Sequence, residues 1–218
     1  MTKKEPDKEP MFEKKFHALA AAVRPGPTLL RLRDNPRPLR KTVWTVVLAG
    51  GLYALTAAGF GLAGSVPMAP VFIPIAPENY HFWEMAFVLP LFVSGWLIVS
   101  IAARLIGWIL GGKGTFRATA ASLALAWSIP LLFVWLFETA IAVLMLLGMG
   151  QKEFVDLVSA PGTWQTVFLG YLGAGALWLW WLNLRAMASA LRLRWWKALL
   201  AGTLTTSLFL GLLIVFVR

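Results

Sequence analysis

Glu138 is the side chain whose type and position most need a chemical explanation. Twenty uncharged residues precede it and thirteen follow, most of them apolar. A carboxylate held in hydrocarbon costs about 2.5–3.5 kcal/mol on insertion scales, so such a group normally faces protein or a wet cavity. At helical rise Glu138 lies roughly 31 Å along its segment from Arg117. That places it at the outer boundary if Arg117 marks the inner one. Centring the whole apolar segment instead puts it about 7–8 Å outside the midplane. Two readings are open: a proton or cation site, or a hydrogen-bonded structural group near the outer interface, with the second preferred. His81 and Glu84 are i, i+3 and share a helical face, so with Glu138 they form the candidate intramembrane polar site. The run His81-Phe-Trp-Glu84 is not the H-E-x-x-H of metalloproteases, and one His with two Glu at no recognised spacing is a poor ligand set. No metal and no cofactor are expected, and an interfacial hydrogen-bond cluster is preferred.

Other motifs read structurally. Gly107-Trp-Ile-Leu-Gly-Gly-Lys113-Gly114 resembles the opening of a phosphate-binding loop, but Gly114 stands where Ser or Thr would hold magnesium, and no strand precedes it. It is expected to be a helix stop and tight turn. Trp178, Trp181 and Arg185 fall at i, i+3 and i+7. That spacing lets the guanidinium lie over an indole or snorkel from an interfacial belt; the belt is preferred. Small residues recur every four positions at Gly50, Ala54 and Ala58 and at Gly170 and Ala174, which permits close helix approach. The chain has no cysteine, which excludes disulfides and thiolate chemistry. It has no G-x-S-x-G elbow and no spaced Ser–His pair, so no catalytic set is visible and a non-enzyme is expected.

The elements that must position these groups are membrane helices. Hydrophobic residues make up 59% of the 218 residues and charged residues 14%, where a soluble domain is about half apolar and a quarter charged. The fold class expected is an all-α integral membrane bundle of five transmembrane helices preceded by a short basic, amphipathic cytoplasmic segment. The spans are read at about 42–66, 82–110, 118–148, 164–191 and 198–217, each meeting the length of about 20 apolar residues that a bilayer demands. Prolines at 67, 70, 74 and 77 mark an irregular connection, and residues 148–162 read as a polar loop. The first apolar stretch is too long for a signal-peptide core and is expected to stay as an anchor.

Charge orients the bundle. The net charge of +10 would suggest nucleic acid in a soluble protein, but the basic residues flank apolar runs, and no nucleic-acid partner is expected. The first 41 residues hold eleven Lys and Arg, and the second and fourth loops hold seven more. Only Lys152 and Arg218 fall on the other side. The positive-inside bias then puts the N-terminus in the cytoplasm and the C-terminus outside a cell membrane of prokaryotic type. Trp44, Trp108, Trp178, Trp180, Trp181, Trp195 and Trp196 fall towards the inner boundary, and Tyr80, Trp83 and Trp164 at the outer one.

Within the tail, residues 1–10 are expected to be disordered. Phe12, Phe16, Leu19 and Val23 form one helical face, suited either to the bilayer surface or to the protein's own loops. Pro25-Gly26-Pro27 is read as ending that helix, with Thr28 capping a second one. Lys14, Lys15, Arg31, Arg33, Arg37, Arg40, Lys41, Lys113 and Arg117 are candidate contacts to anionic lipid phosphates. Other membrane proteins, or self-association, are further candidate partners.

Four features together resemble the Yip family of membrane proteins, over residues 23–218. VRPGPTLLRLRDNPRPLRKTVW leads directly into the first span. GGKGTFRATAASLALAWSIP joins the second span to the third. YLGAGALWLWWLNLRAMASALRLRWWKALLAG forms a tight pair of spans, and a fifth span closes the sequence. The resemblance implies five spans and a cytosolic N-terminus. Eukaryotic relatives associate with Rab-type GTPases through tails carrying a D-L-[YF]-G-P-type motif. This tail has none, so GTPase binding is not carried over, and the chain resembles the prokaryotic members. The expected function is a non-enzymatic scaffold or adaptor organising partner proteins or lipids. The alternative is a small transporter or channel subunit using Glu138 with His81 and Glu84 for proton or cation passage.

Overall fold

The computed structural model describes residues 24–68 and 72–217. Lys14, Lys15, His17, the Phe12–Val23 face, Arg218 and the Lys41 side chain lie outside the described residues. Among the described residues, five helices are long and apolar enough to cross a membrane. In chain order the helices are α1 (Pro25–Arg33), α2 (Pro38–Leu62), α3 (Tyr80–Ile109), α4 (Phe116–Leu146), α5 (Gln151–Ser159), α6 (Thr163–Leu191) and α7 (Trp195–Phe216), with a 3-10 turn at Pro77–Asn79. No strand occurs among the described residues.

The first two helices begin where proline allows. A proline in the first turn has no N–H to leave unpaired, and its φ is already helical. Pro25 and Pro38 therefore open α1 and α2. Whether Pro25-Gly26-Pro27 also ends a preceding helix lies outside the described residues. Thr28 is not a cap; its hydroxyl donates to the Arg24 carbonyl at 2.9 Å, one turn inside α1. The polar loop after α4 also needs correction, because it contains α5. Phe154 is the buried residue of that helix, and it recurs with Leu157 and Val158 at i, i+3 and i+4, a short amphipathic pattern.

The centre of the bundle is α4, which packs against α1, α2, α3 and α6, while α7 closes on α3 and α6. Every residue from Ala118 to Leu131 is buried. The sequence there is alanine-rich, and small side chains let neighbouring backbones approach closely. Trp96 of α3 donates its indole N–H to the Ala120 carbonyl at 2.8 Å. Trp127 stacks on Phe209 of α7 with ring centroids 3.9 Å apart. Asn183 of α6 is fully buried and donates to the Gly202 carbonyl and to the Thr205 and Thr206 hydroxyls at 2.7–3.1 Å. The outward surface is apolar; Leu48, Leu55, Ile109, Leu169 and Leu177 are all exposed. A soluble monomer rarely shows so much contiguous apolar area, whereas lipid requires it.

The helices alternate between two ends. The basic end holds α1, the α3–α4 turn and the α6–α7 turn. There the glycine run acts as a docking surface. The Lys113 N–H donates to the Leu191 carbonyl at 3.0 Å, and the Lys197 ammonium to the Leu110 carbonyl at 2.7 Å. A Cβ on Gly112 would lie 2.8 Å from the Gly107 carbonyl oxygen, and one on Gly114 would overlap the Ala190 carbonyl. Gly111 has φ +80°, the left-handed region that favours glycine.

Trp44, Trp108, Trp195 and Trp196 are exposed at the basic end, and Trp83 and Trp164 at the other. Tyr80 does not belong to a belt. It is fully buried, and its hydroxyl donates to the Phe216 carbonyl at 2.9 Å. Trp178 packs edge-on against Phe133, and the cation–π pair among the described residues is Lys197 with Trp196, 5.4 Å apart. Arg185 instead reaches α1, where its Nη2 lies 2.8 Å from the position a Cβ on Gly26 would take.

Candidate functional site

At the end opposite the basic one, the bundle opens around a cavity of about 410 Å³. Its walls come from α2, α3, α4, α5 and α6, and His81, Glu84 and Glu138 all line it. The helical period brings the first two together: His81 Nδ1 and Glu84 Oε2 are 3.0 Å apart, and both residues are buried. Phe60 and Tyr80 pack against the imidazole, with ring centroids 5.4 and 5.7 Å away. Among the described residues, no three His, Asp or Glu side chains group as a set that could hold a metal ion.

Glu138 comes from α4, eight residues before the end of that helix, which at helical rise is about 12 Å. It accepts no hydrogen bond from any described residue, although its neighbour Thr139 meets Thr56 of α2 at 3.0 Å. A second cavity of about 290 Å³ lies between α4, α6 and α7. It also reaches Glu138 and shares Tyr53, Leu172 and Val217 with the first. Pro130 lines this second cavity, and the fully buried run of α4 ends one residue later. The void therefore begins where the close-packed alanine-rich segment stops.

The α2–α3 connection, which lines the first cavity at Ser65, Val66 and Met68, is tied to the start of α5. The Gln151 side chain donates to the Val66 carbonyl at 2.7 Å and accepts from the Val66 N–H at 2.9 Å. The cavity wall beneath is aromatic. Phe168 lies 5.7 Å from Phe137 and 6.3 Å from Phe154 between ring centroids; behind that lining, Tyr171 stacks on Phe133 at 4.3 Å while donating its hydroxyl to the Phe133 carbonyl. Sequence reasoning missed this wall. The amphipathic pattern of α5, which carries Phe154, was the signal that could have found it.

The candidate lipid-phosphate residues collect at the basic end. Arg31, Arg37, Arg40, Lys113 and Arg117 are exposed. Arg33 and Arg117 converge on a recess of about 550 Å³ between the α1–α2 link and the start of α4. Arg33 is also bonded to its neighbour Asp34, at 2.8 Å, and this hydrogen bond holds the Asp34 carboxyl below the usual carboxylate range. α1 seats Leu29 and Leu32 in the core and turns Arg31 outward. Of the small-residue faces, Gly50 packs tightly against Leu89 and Phe92, whereas Gly170 has nothing within 4 Å of where a Cβ would be.

Comparison with known proteins agrees with this architecture. No curated protein and no solved structure matches the chain. The family model of the Yip1 domain matches residues 20–217, nearly the whole length. With five membrane-length helices and that match, the chain is a multi-pass membrane protein and belongs to the Yip1-domain family.

Proposed function

We propose that the protein is a non-enzymatic membrane scaffold. In this reading its basic end faces the cytoplasm and organises anionic lipids or partner proteins there, while its C-terminus lies outside a cell membrane. The observation that carries the reading is the contrast within α4. The buried run Ala118–Leu131 fills the bundle at the basic end, whereas the two cavities that reach Glu138 touch α4 only from Pro130 onward. A filled bundle supports a fixed platform, and α1, seated on α4 and α6, holds the arginines on that platform's rim. Each basic side chain near an anionic surface contributes about 1 kcal/mol, screened by salt.

A transporter or channel subunit is the second reading, favoured by the cavity that joins His81, Glu84 and Glu138. Proton and cation flux in liposomes, measured alongside crosslinking in native membranes, separates the two. The scaffold reading expects no flux above empty vesicles and reproducible crosslinks to partners or to itself. Robust flux that Glu138→Gln abolishes, without any partner, overturns it.

A further inference from the structure

The two cavities have complementary chemistry and meet at one ionisable group, Glu138. The larger has an aromatic wall in which Phe60, Phe137, Phe154 and Phe168 surround the approach to Glu138. The smaller is lined almost wholly by aliphatic side chains, among them Leu131, Val134, Leu179, Leu210, Leu213 and Ile214. Glu84 already has His81 at 3.0 Å, whereas Glu138 has no hydrogen-bonding partner among the described residues and borders both voids. A carboxylate so deep in a membrane protein ordinarily pairs with another group. Aromatic faces attract cations through the ring quadrupole and are the usual surroundings of bound ammonium groups. A void lined by aliphatic side chains is suited to hydrocarbon.

We propose that this cavity pair binds an amphiphile with an ammonium head and an apolar tail, the head against Glu138 and the aromatic wall, the tail between α4, α6 and α7. The inference is independent of which partner, if any, the basic end engages, and it requires no passage across the membrane.

The absence of native cysteine makes the test direct. Thr56→Cys places a thiol on the wall of the larger cavity, and Leu177→Cys places one on the exposed outer face as a control. The full chain is held in phosphatidylglycerol nanodiscs, and the rate of labelling by an uncharged maleimide is measured. Dodecyltrimethylammonium is added below its micellar concentration, with dodecyl maltoside as the uncharged comparison. The cationic probe is expected to slow labelling at position 56 by about tenfold, the equivalent of one added ion-pair or cation–π contact, and to leave position 177 unchanged. Glu138→Gln in the Thr56→Cys background is expected to remove most of that protection. Repeating the measurement with phosphatidylethanolamine mixed into the disc, and no added probe, identifies the source. Protection there points to a bilayer aminolipid, and its absence to a free amphiphile. Equal protection by dodecyl maltoside overturns the proposal. So does protection by neither probe, or a thiol at position 56 that does not react in a folded chain. The comparison of charged with uncharged probe needs no change at Glu138, so it decides the matter even if that variant does not fold.

Discussion

The two ends of this bundle are made from the same helices and differ in how they are filled. Towards the basic end, α4 presents Ala118, Ala120, Ala121, Ser122, Ala124 and Ala126, all buried, and the backbones of the glycine turn and the α6–α7 turn touch directly. Towards the other end, α4 presents Phe133, Trp135, Phe137 and Glu138, which are only partly buried. Small side chains let helices close on one another; large ones hold them apart and leave space between them. A region without space tolerates no added volume. A region with space tolerates substitution and can take a ligand. Tight packing and open volume are therefore divided along single helices, with Pro130 near the boundary on α4.

Substitutions can break this contrast in order of expected size. Trp127→Ala removes the stack on Phe209 and leaves a large hole in the filled region. By the usual cost of truncating a buried aromatic it should lose about 3–5 kcal/mol, read as a lowered midpoint of thermal or denaturant unfolding in detergent. Gly114→Leu should cost about 3 kcal/mol or prevent folding, because a side chain there overlaps the Ala190 carbonyl. Its counterpart at the other end is Gly173→Ala, which meets nothing within 4 Å. That change should leave stability within about 1 kcal/mol of the parent, on the stabilising side, because alanine is the better helix former. Equal losses at Gly114 and Gly173 would erase the distinction.

Asn183→Ala should cost about 2 kcal/mol, since it strips hydrogen bonds from the buried Thr205 and Thr206 hydroxyls. Glu138→Gln should move the same midpoint by less than about 1 kcal/mol, because no described residue bonds to the carboxylate. A loss at Glu138 as large as that at Asn183 would mean that the carboxylate has a structural partner.

The five spans were legible because lipid imposes a long, uninterrupted apolar run that composition alone reveals. Of the four features that carried the Yip resemblance, the most specific was the α3–α4 connection, Gly111 to Pro130, and that segment runs from a close-packed glycine turn into the buried run of α4. The shared face of His81 and Glu84 was legible from helical period. That Glu138 joins them was less so, because it depends on how α3 and α4 cross, which spacing along the chain does not specify. The start of α1 was read three residues late, at Thr28 instead of Pro25, because proline both ends and begins helices. Which of the two it does depends on whether the next residues have a surface to pack on, and the burial of Leu29 and Leu32 against α4 and α6 decided it. α5 was missed because its amphipathic pattern, Phe154 with Leu157 and Val158, spans only nine residues within a polar stretch.

A bundle sealed at its basic end and open at the other is the claim on which the rest depends. Two single-cysteine chains test it most directly. Ser65→Cys places a thiol on the wall of the larger cavity, and Ser122→Cys places one inside the fully buried run of α4. Each is reconstituted in vesicles of known orientation and exposed to a membrane-impermeant thiol reagent from one side and then the other. Position 65 should label only from the side opposite the N-terminus, and position 122 from neither. Labelling of position 122, or labelling of position 65 from both sides, would contradict the account.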